Sequence, residues 1–263
     1  MNPIRNIIVL GAGNVATHLT RALVSKGFSI TQLYNPSEER GRTLASKVKA
    51  GYIGSPENLD RSADLYILAV SDDAIATLAS RLHVDSGIVV HTSGSKGMDI
   101  LQPFFSHSGV FYPLQTFMQE REISFNSIPI CIEASDRTDE NSLLDFAGQL
   151  SSCVHLINSD QRRILHMTAV FAGNFSNFMY SIAEDLLEKH NIPFDLLKPL
   201  IRQTAENIEH ADLFSLQTGP AVRQDSEIME EHRALLTDHD LYKKIYDLIS
   251  ISIIQQKNKH DKL

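Results

Sequence analysis

Short runs of β-branched and other apolar residues alternate with amphipathic stretches through the first 157 residues. Residues 6–10, 29–34, 64–70, 87–91 and 109–112 read as strands, nearly continuous in apolar character rather than alternating. That is the pattern of strands buried on both faces. Between them, residues 15–25, 38–49, 73–82 and 98–105 space their apolar positions as helices do. The alternation predicts an α/β fold: a doubly wound, mostly parallel sheet with helices on both faces. Residues 128–133, a helix near 139–150, and residues 154–157 predict one more strand–helix–strand unit at the far edge of that sheet.

After Ser159 the texture changes. Residues 162–189 keep helical spacing through a single internal Gly173, and 196–211, 226–236 and 241–255 continue it. Pro193 and the Gly219-Pro220 pair punctuate the series. The expected organisation is a sheet domain over residues 1–157 and an all-helical domain over 158–263. In residues 241–254, Leu, Ile and Tyr fall on too many sides for a simple surface helix, which predicts a homodimer built largely through the helical domain. The mixed tail after residue 254 reads as a solvated end.

A chain of 263 residues suits two domains of ordinary size. Its net charge of −8 and the lack of a basic block argue against nucleic acid as a partner. No stretch reaches the roughly 18 apolar residues of a membrane span, and the first apolar run is too short for a signal peptide, so a soluble, cytoplasmic protein is expected. The two cysteines, Cys131 and Cys153, sit in apolar stretches without CxxC spacing and read as free buried thiols. No metal site is expected.

The first strand runs straight into Gly11-Ala12-Gly13-Asn14-Val15-Ala16, a G-x-G-x-x-A pattern that opens a helix. Gly11 is expected to make the tight turn and Gly13 to let the backbone approach a pyrophosphate. Ala16 is small enough for the helix to pack close on the strand. Asn14 and Val15 begin that helix, whose unpaired N–H groups and positive dipole end face the phosphates. In this strand–turn–helix context the pattern is the dinucleotide-binding fingerprint of a Rossmann domain. An acidic residue at the end of the second strand would bond a ribose 2′-hydroxyl and select NAD. Asn35 stands there instead, followed by Ser37 and Arg40. A neutral residue removes repulsion with a 2′-phosphate, and a hydroxyl with a guanidinium can bind one, so NADP is expected ahead of NAD. The competing reading leaves Arg40 solvated and makes Ser37 a helix cap. Glu38 and Glu39 count against the phosphate.

Ligands of open α/β sheets lie at the carboxyl ends of the strands. Three such ends carry polar groups: Val70-Ser71-Asp72-Asp73, His91-Thr92-Ser93-Gly94-Ser95 and Tyr112-Pro113-Leu114-Gln115-Thr116. Val70, Ser71, Thr92 and Ser93 are candidate cofactor contacts and Ser95 a candidate substrate contact. Ser71 is equally placed to cap a helix. His91 is a candidate proton donor near neutral pH; the competing reading is a structural histidine that orients its loop.

These segments, together with Ile67-Leu68-Ala69-Val70-Ser71-Asp72 and Gly219-Pro220-Ala221-Val222-Arg223-Gln224-Asp225, resemble one bacterial family over nearly the whole chain. Its members join a Rossmann-like domain to a domain of unknown function numbered 2520, and are often labelled NADP oxidoreductase, deazaflavin-dependent. More distantly the chain is similar to pyrroline-5-carboxylate reductase, ketopantoate reductase and the β-hydroxyacid dehydrogenases. The resemblance implies a helical domain like the C-terminal domain of 6-phosphogluconate dehydrogenase, which dimerises and closes over the nicotinamide. It implies no particular substrate.

His166, Asn174 and Asn177 form a polar stripe in an otherwise apolar helix. At about 100° per residue, His166 and Asn177 project within about 20° of each other and Asn174 within about 80° of His166. The stripe lines a substrate pocket, as the resemblance implies, or forms an interhelical or dimer-interface network. The related dehydrogenases carry a catalytic lysine one turn before the corresponding asparagine, where this chain has Val170. His91 or His166 is then the expected proton carrier. Arg223 is either a bidentate clamp for a substrate carboxylate or phosphate, or half of a surface pair with Asp225. Two functions are compatible with these residues. One is a reductase or dehydrogenase that moves a hydride between NADP(H) and a small carbonyl, imine or hydroxy-acid substrate. The other is an NADP-binding sensor or partner-binding module without turnover.

Overall fold

The computed structural model describes residues 3–118, 123–210 and 212–260. The chain forms two compact units, Met1–Asn174 and Phe175–Leu263.

The first unit is built on an eight-stranded sheet in the order β3-β2-β1-β4-β5-β6-β7-β8. The strands are β1 (Asn6–Leu10), β2 (Ser29–Tyr34), β3 (Gly51–Ile53), β4 (Leu65–Leu68), β5 (Ile88–His91), β6 (Ser108–Pro113), β7 (Ile130–Ala134) and β8 (Val154–Leu156). All neighbouring pairs are parallel except β6 with β7. Successive residues of β1 serve opposite faces. Ile7 and Val9 belong to one buried cluster with Leu19, Leu33 and Phe146, while Ile8 and Leu10 belong to another with Tyr66, Leu68 and Val89. This two-sided burial is what the continuous apolar runs required. The expected strand–helix–strand unit at the far edge is β7, α4 (Arg137–Leu150) and β8.

Helices α1 (Asn14–Ser25) and α2 (Glu38–Val48) match their periodicity. Two other expected helices are shorter. Residues 73–82 form a 3₁₀ turn, Asp72–Ala74, followed by α3 (Ile75–Ala79). Residues 98–105 hold only a 3₁₀ turn, Met98–Ile100. Pro103 lies inside that second stretch, removing a backbone donor and restricting Gln102. Leu101 and Phe105 still reach the core through the single turn.

Residues 162–189 are not one uniform helix. α5 (Ser159–Ala169) begins at a reciprocal cap between Asn158 and Gln161, and a π-helical segment, Val170–Phe175, separates it from α6 (Ser176–Lys189). The last strand ends at Leu156, yet compact packing of the first unit continues through α5 to Asn174. The tie is Arg162, which is fully buried. Its Nη1 donates to Glu133 of β7 at 2.5 Å and its Nη2 to the Lys96 carbonyl at 2.7 Å and Ser159 Oγ at 3.2 Å. Ser159 in turn donates through its N–H and its hydroxyl to the same Glu133 carboxylate.

The second unit contains α6, α7 (Lys198–Asn207), α8 (Pro220–Arg223), α9 (Ser226–Leu235) and α10 (Asp240–His260). α7 ends at Asn207 and the chain turns over residues 208–210, short of the expected end at Ala211, which itself lies outside the described residues. Residues 255–260, expected as a solvated tail, continue α10, and the His260 ring stacks on Phe214 at 4.0 Å. Pro220 starts α8 behind Gly219, whose φ of 104° suits a residue without Cβ. Among the described residues no helix is long and apolar enough to cross a membrane. Cys131 is buried, Cys153 half-buried, and both are free thiols.

Removing one member of the Arg162–Glu133 pair strands the other charge. Arg162→Met or Glu133→Leu is expected to lower unfolding free energy by about 3–5 kcal/mol in urea titrations, and the double variant Arg162→Met/Glu133→Leu to recover much of that loss. Additive losses in the double variant would show that the two groups act independently.

Candidate functional site

At the carboxyl edge of the sheet, β1 ends in Gly11 with φ of 123°. Its N–H donates to the Tyr34 carbonyl at 2.7 Å, and a Cβ there would be driven into the Ala69 carbonyl. The turn is therefore wedged between β2 and β4 and admits only glycine. Gly13 differs: a Cβ would meet nothing within 4 Å, so its backbone faces open space. Helix α1 starts there without a side-chain cap and without an acidic residue in its first turn. Its first N–H groups are left for an anion. A cleft of about 480 Å³ opens on this turn, lined by Gly11, Gly13, Asn14, Val15, Asn35, Arg40, Val70, Ser71 and Thr92. Asn14 also anchors the segment after β6, donating from Nδ2 to the Phe117 carbonyl at 2.8 Å.

Two residues expected at the cofactor do not line this cleft. Ser37 does not line the cleft, and its hydroxyl does not cap α2; its carbonyl accepts from Asn35 Nδ2 and from the Gly41 N–H. Ser93 is buried, and its Oγ accepts the N–H groups of Ser95 and Lys96 at 3.1 and 3.0 Å, closing the turn after β5. Ser71 makes no side-chain cap and is exposed at the cleft.

His91 is not placed to donate a proton to a ligand. It is fully buried, Nδ1 accepts the Ser93 N–H at 3.1 Å, and Nε2 lies 3.2 Å from the Gly97 carbonyl. An accepting Nδ1 puts the proton on Nε2, where it is donated to Gly97. Burial, reinforced by the charge of Arg162, pushes the imidazole down to about 4. The ring is a neutral brace across the loop, the structural alternative to the proton-donor role.

His166, by contrast, is half-buried and faces a cavity. Its Nδ1 lies 3.1 Å from the Tyr112 hydroxyl at the end of β6. Burial pushes the Tyr112 phenol up to about 12, so it keeps its proton, and the hydroxyl can donate to a bare Nδ1 or accept from Nδ1–H. Nε2, which has no hydrogen-bond partner among the described residues, is the free end of the imidazole. The approach depends on Gly94, where a Cβ would lie 2.7 Å from His166 Nδ1 and 2.8 Å from Tyr112 Cζ. The Ser95 hydroxyl, expected at the substrate, donates to Asp72 instead. Burial alone would raise the Asp72 carboxyl, but hydrogen bonds from Ser95 and Ser93 and the charge of Lys96 hold it below its ordinary value.

The cavity beside His166, about 480 Å³, is lined by Tyr112, Gln115, Thr116, Val170, Gly173 and Asn174 among others. Asn174 reaches it because of the π segment. With i→i+5 bonding the rotation per residue falls to about 80°, which brings Asn174 to within about 10° of His166 instead of 80°. Asn177, beyond that segment, lines a different cavity with Tyr180, Glu184, Lys198 and Arg202.

A family model for a Rossmann-like domain matches residues 2–115, and one for a domain of unknown function, DUF2520, matches residues 128–253. The crystal structure of a putative NADP oxidoreductase from Bacteroides fragilis is 39% identical, over 96% of this chain and 98% of that one, with a TM-score of 0.89. The chain belongs to this Rossmann-like, DUF2520 family. A protein from Thermotoga maritima shares the fold at 20% identity, over 97% of this chain and 99% of that one, with a TM-score of 0.74. So does a reductive aminase from Aspergillus terreus, solved with NADPH and ethyl-5-oxohexanoate, at 10% identity over 98% and 94% of the two chains, with a TM-score of 0.74. No curated protein matches the sequence.

The DUF2520 match begins before β7, so β7 and β8 fall in the same matched segment as the helices. Within that segment Arg223 is exposed at the end of α8 and makes no ion pair with Asp225, whose carboxylate caps α9 at the Ile228 N–H. Among the described residues one group, His107, Asp136 and Asp139, brings possible metal ligands within 4.8 Å of one another. It lies at the start of β6, away from the carboxyl edge, and Asp136 is already the cap of α4. Several site residues escaped the sequence reading: Tyr112, Gln115 and Thr116 stood at a strand end without an assigned role, and Asp72 and Arg162 gave no signal of theirs.

The His91 environment gives a pH signature. An ordinary histidine near 6.5 takes up a proton in the unfolded chain that the folded one refuses until about pH 4. Its contribution is complete above about pH 6.5 and is lost as pH falls toward 4, a loss of about 3 kcal/mol. Urea unfolding of the wild type and His91→Gln at pH 7 and 4.5 is expected to show a shallower acid loss in the variant; equal losses would refute the brace.

Proposed function

We propose that this protein is an NADP(H)-dependent oxidoreductase acting on a small carbonyl, imine or hydroxy-acid substrate. The observation that carries the reading is the His166–Tyr112 pair, which leaves one imidazole nitrogen free beside a cavity at the same sheet edge as the glycine cleft. A pure binder has no need of a titratable group held there. The name of the Bacteroides fragilis relative supports NADP, as do the neutral Asn35 and the guanidinium of Arg40 in the cleft.

The cleft fits a dinucleotide. Gly13 leaves its backbone open, the uncapped α1 N-terminus offers N–H groups to a pyrophosphate, and Arg40, lining the same cleft, supplies a guanidinium suited to a 2′-phosphate. When bound, the nicotinamide supplies or accepts the hydride. The chain's own part is the proton. In reduction the protonated His166 gives its Nε2 proton to the substrate oxygen or nitrogen and is left as the neutral ring with Nδ1–H toward the Tyr112 oxygen; in the reverse direction the bare Nε2 takes the proton. Asn174 orients the substrate from the same cavity wall. Val170, in place of the lysine of the related dehydrogenases, favours a second reading in which NADP binds without turnover.

We also propose a cytoplasmic homodimer formed through the second unit. That unit exposes Leu196, Leu200, Leu213, Leu235, Leu241 and Leu248, each at least 62% accessible, and a monomer would leave this surface in water.

Calorimetry is expected to show tighter binding of NADPH than NADH, with Arg40→Ala weakening NADPH about tenfold or more and leaving NADH nearly unchanged. In a screen of carbonyl and imine compounds for NADPH oxidation, His166→Asn is expected to lose about 10²- to 10⁴-fold in turnover while keeping NADPH affinity. Turnover unaffected by the substitution removes His166 from the mechanism; absence of turnover with every compound class supports the second reading. Light scattering at micromolar concentration is expected to give twice the chain mass.

A further inference from the structure

A second groove, about 460 Å³, runs between α1 and α2. Thr17 and Arg21 line it from α1, one turn apart; Arg40, Thr43 and Lys47 line it from α2, three and four residues apart. These spacings put each set on one helix face. Ala12 and Arg40 line both this groove and the glycine cleft, so the two are continuous.

The charges in the groove do not balance. Glu39 is the carboxylate in its lining, against Arg21, Arg40 and Lys47. Among the described residues none of these three cations has an ion pair, whereas the neighbouring Arg42 is paired with Glu38 at 2.7 Å. Arg21 is half-buried, so its guanidinium is partly confined between the helices. A chain of net charge −8 gathers beside its glycine cleft three cations that have no ion pair among the described residues. Like charges held together repel, and an anion relieves the repulsion. A phosphate monoester, with a charge of about −1.5 to −2 at neutral pH, matches the excess.

We infer that this groove takes the 2′-phosphate of the dinucleotide, with Arg21 and Lys47 joining Arg40 as specificity-determining residues. The inference rests on the proposed use of NADP(H), and extends it from the turn after β2 to the facing walls of two helices. Arg21 supplies a planar guanidinium from the α1 side and Lys47 a mobile ammonium from α2, with Thr17 and Thr43 as hydroxyl donors.

Calorimetry of the full chain with NADPH, NADH, adenosine 2′,5′-bisphosphate and adenosine 5′-monophosphate tests it without reference to turnover. Arg21→Ala is expected to weaken NADPH and the bisphosphate tenfold or more, and Lys47→Ala severalfold. NADH and the monophosphate should stay within about twofold, which also shows that the variants fold. Arg21→Lys should recover part of the loss. If the wild type prefers NADPH but the Arg21 and Lys47 variants do not lower that preference, the groove is excluded and the cofactor reading stands. A wild type that binds NADH as tightly as NADPH, or neither, overturns both.

Discussion

The Arg162 guanidinium lies wholly out of water, and a charge in that position persists only where the chain supplies acceptors for it. Glu133 supplies the countercharge, the Lys96 carbonyl and Ser159 hydroxyl take further N–H bonds, and Nε is left without a partner. One side chain thereby joins β7, the loop after β5 and the start of α5. His166 follows four residues later on the same helix face, so fixing Arg162 also fixes the imidazole against Gly94 and Tyr112. The same charge helps to depress His91 and partly opposes the rise of the Tyr112 phenol. Position and electrostatics at this edge share one source.

Two histidines near that source have opposite fates. His91 ends a central strand, surrounded by backbone donors and acceptors that use both of its nitrogens, and burial keeps it neutral. His166 stands on a helix with one nitrogen bonded and the other free toward a cavity. Residue type did not separate them; access and hydrogen bonding did.

Features set by local periodicity were legible from the chain: the glycine turn, the five apolar strands flanking it in space, and the helical texture after Ser159. What escaped depends on partners distant in sequence or on too few residues to show a period. β3 has three residues and exists by pairing with β2. Pro103 was visible, yet its neighbours Leu101 and Phe105 mimic a helical face. Arg162 looks like any solvated helical arginine until Glu133, 29 residues away, is brought beside it. Tyr112 and His166 are 54 residues apart. The Ser93 and Ser95 hydroxyls looked available because the loop bonds and Asp72 contact that occupy them follow from tertiary geometry.

The π segment bears on the lysine that is absent. A uniform helix from His166 onward would turn Asn174 well off the imidazole and set Asn177 in line with it. With the wider turn, His166, Val170 and Asn174 succeed one another along one wall of a single cavity. The lysine position of the related dehydrogenases is the middle of these three. Under the proposed reading the proton carrier is His166, one helical turn toward the N-terminus on that wall, with Tyr112 as the hydrogen-bond partner of its imidazole. On that reading a valine in the middle removes a charge from the cavity and leaves the proton to the imidazole; on the other reading, binding without turnover, neither is needed. The valine also leaves an apolar surface between imidazole and amide, against which a substrate's hydrocarbon portion can pack.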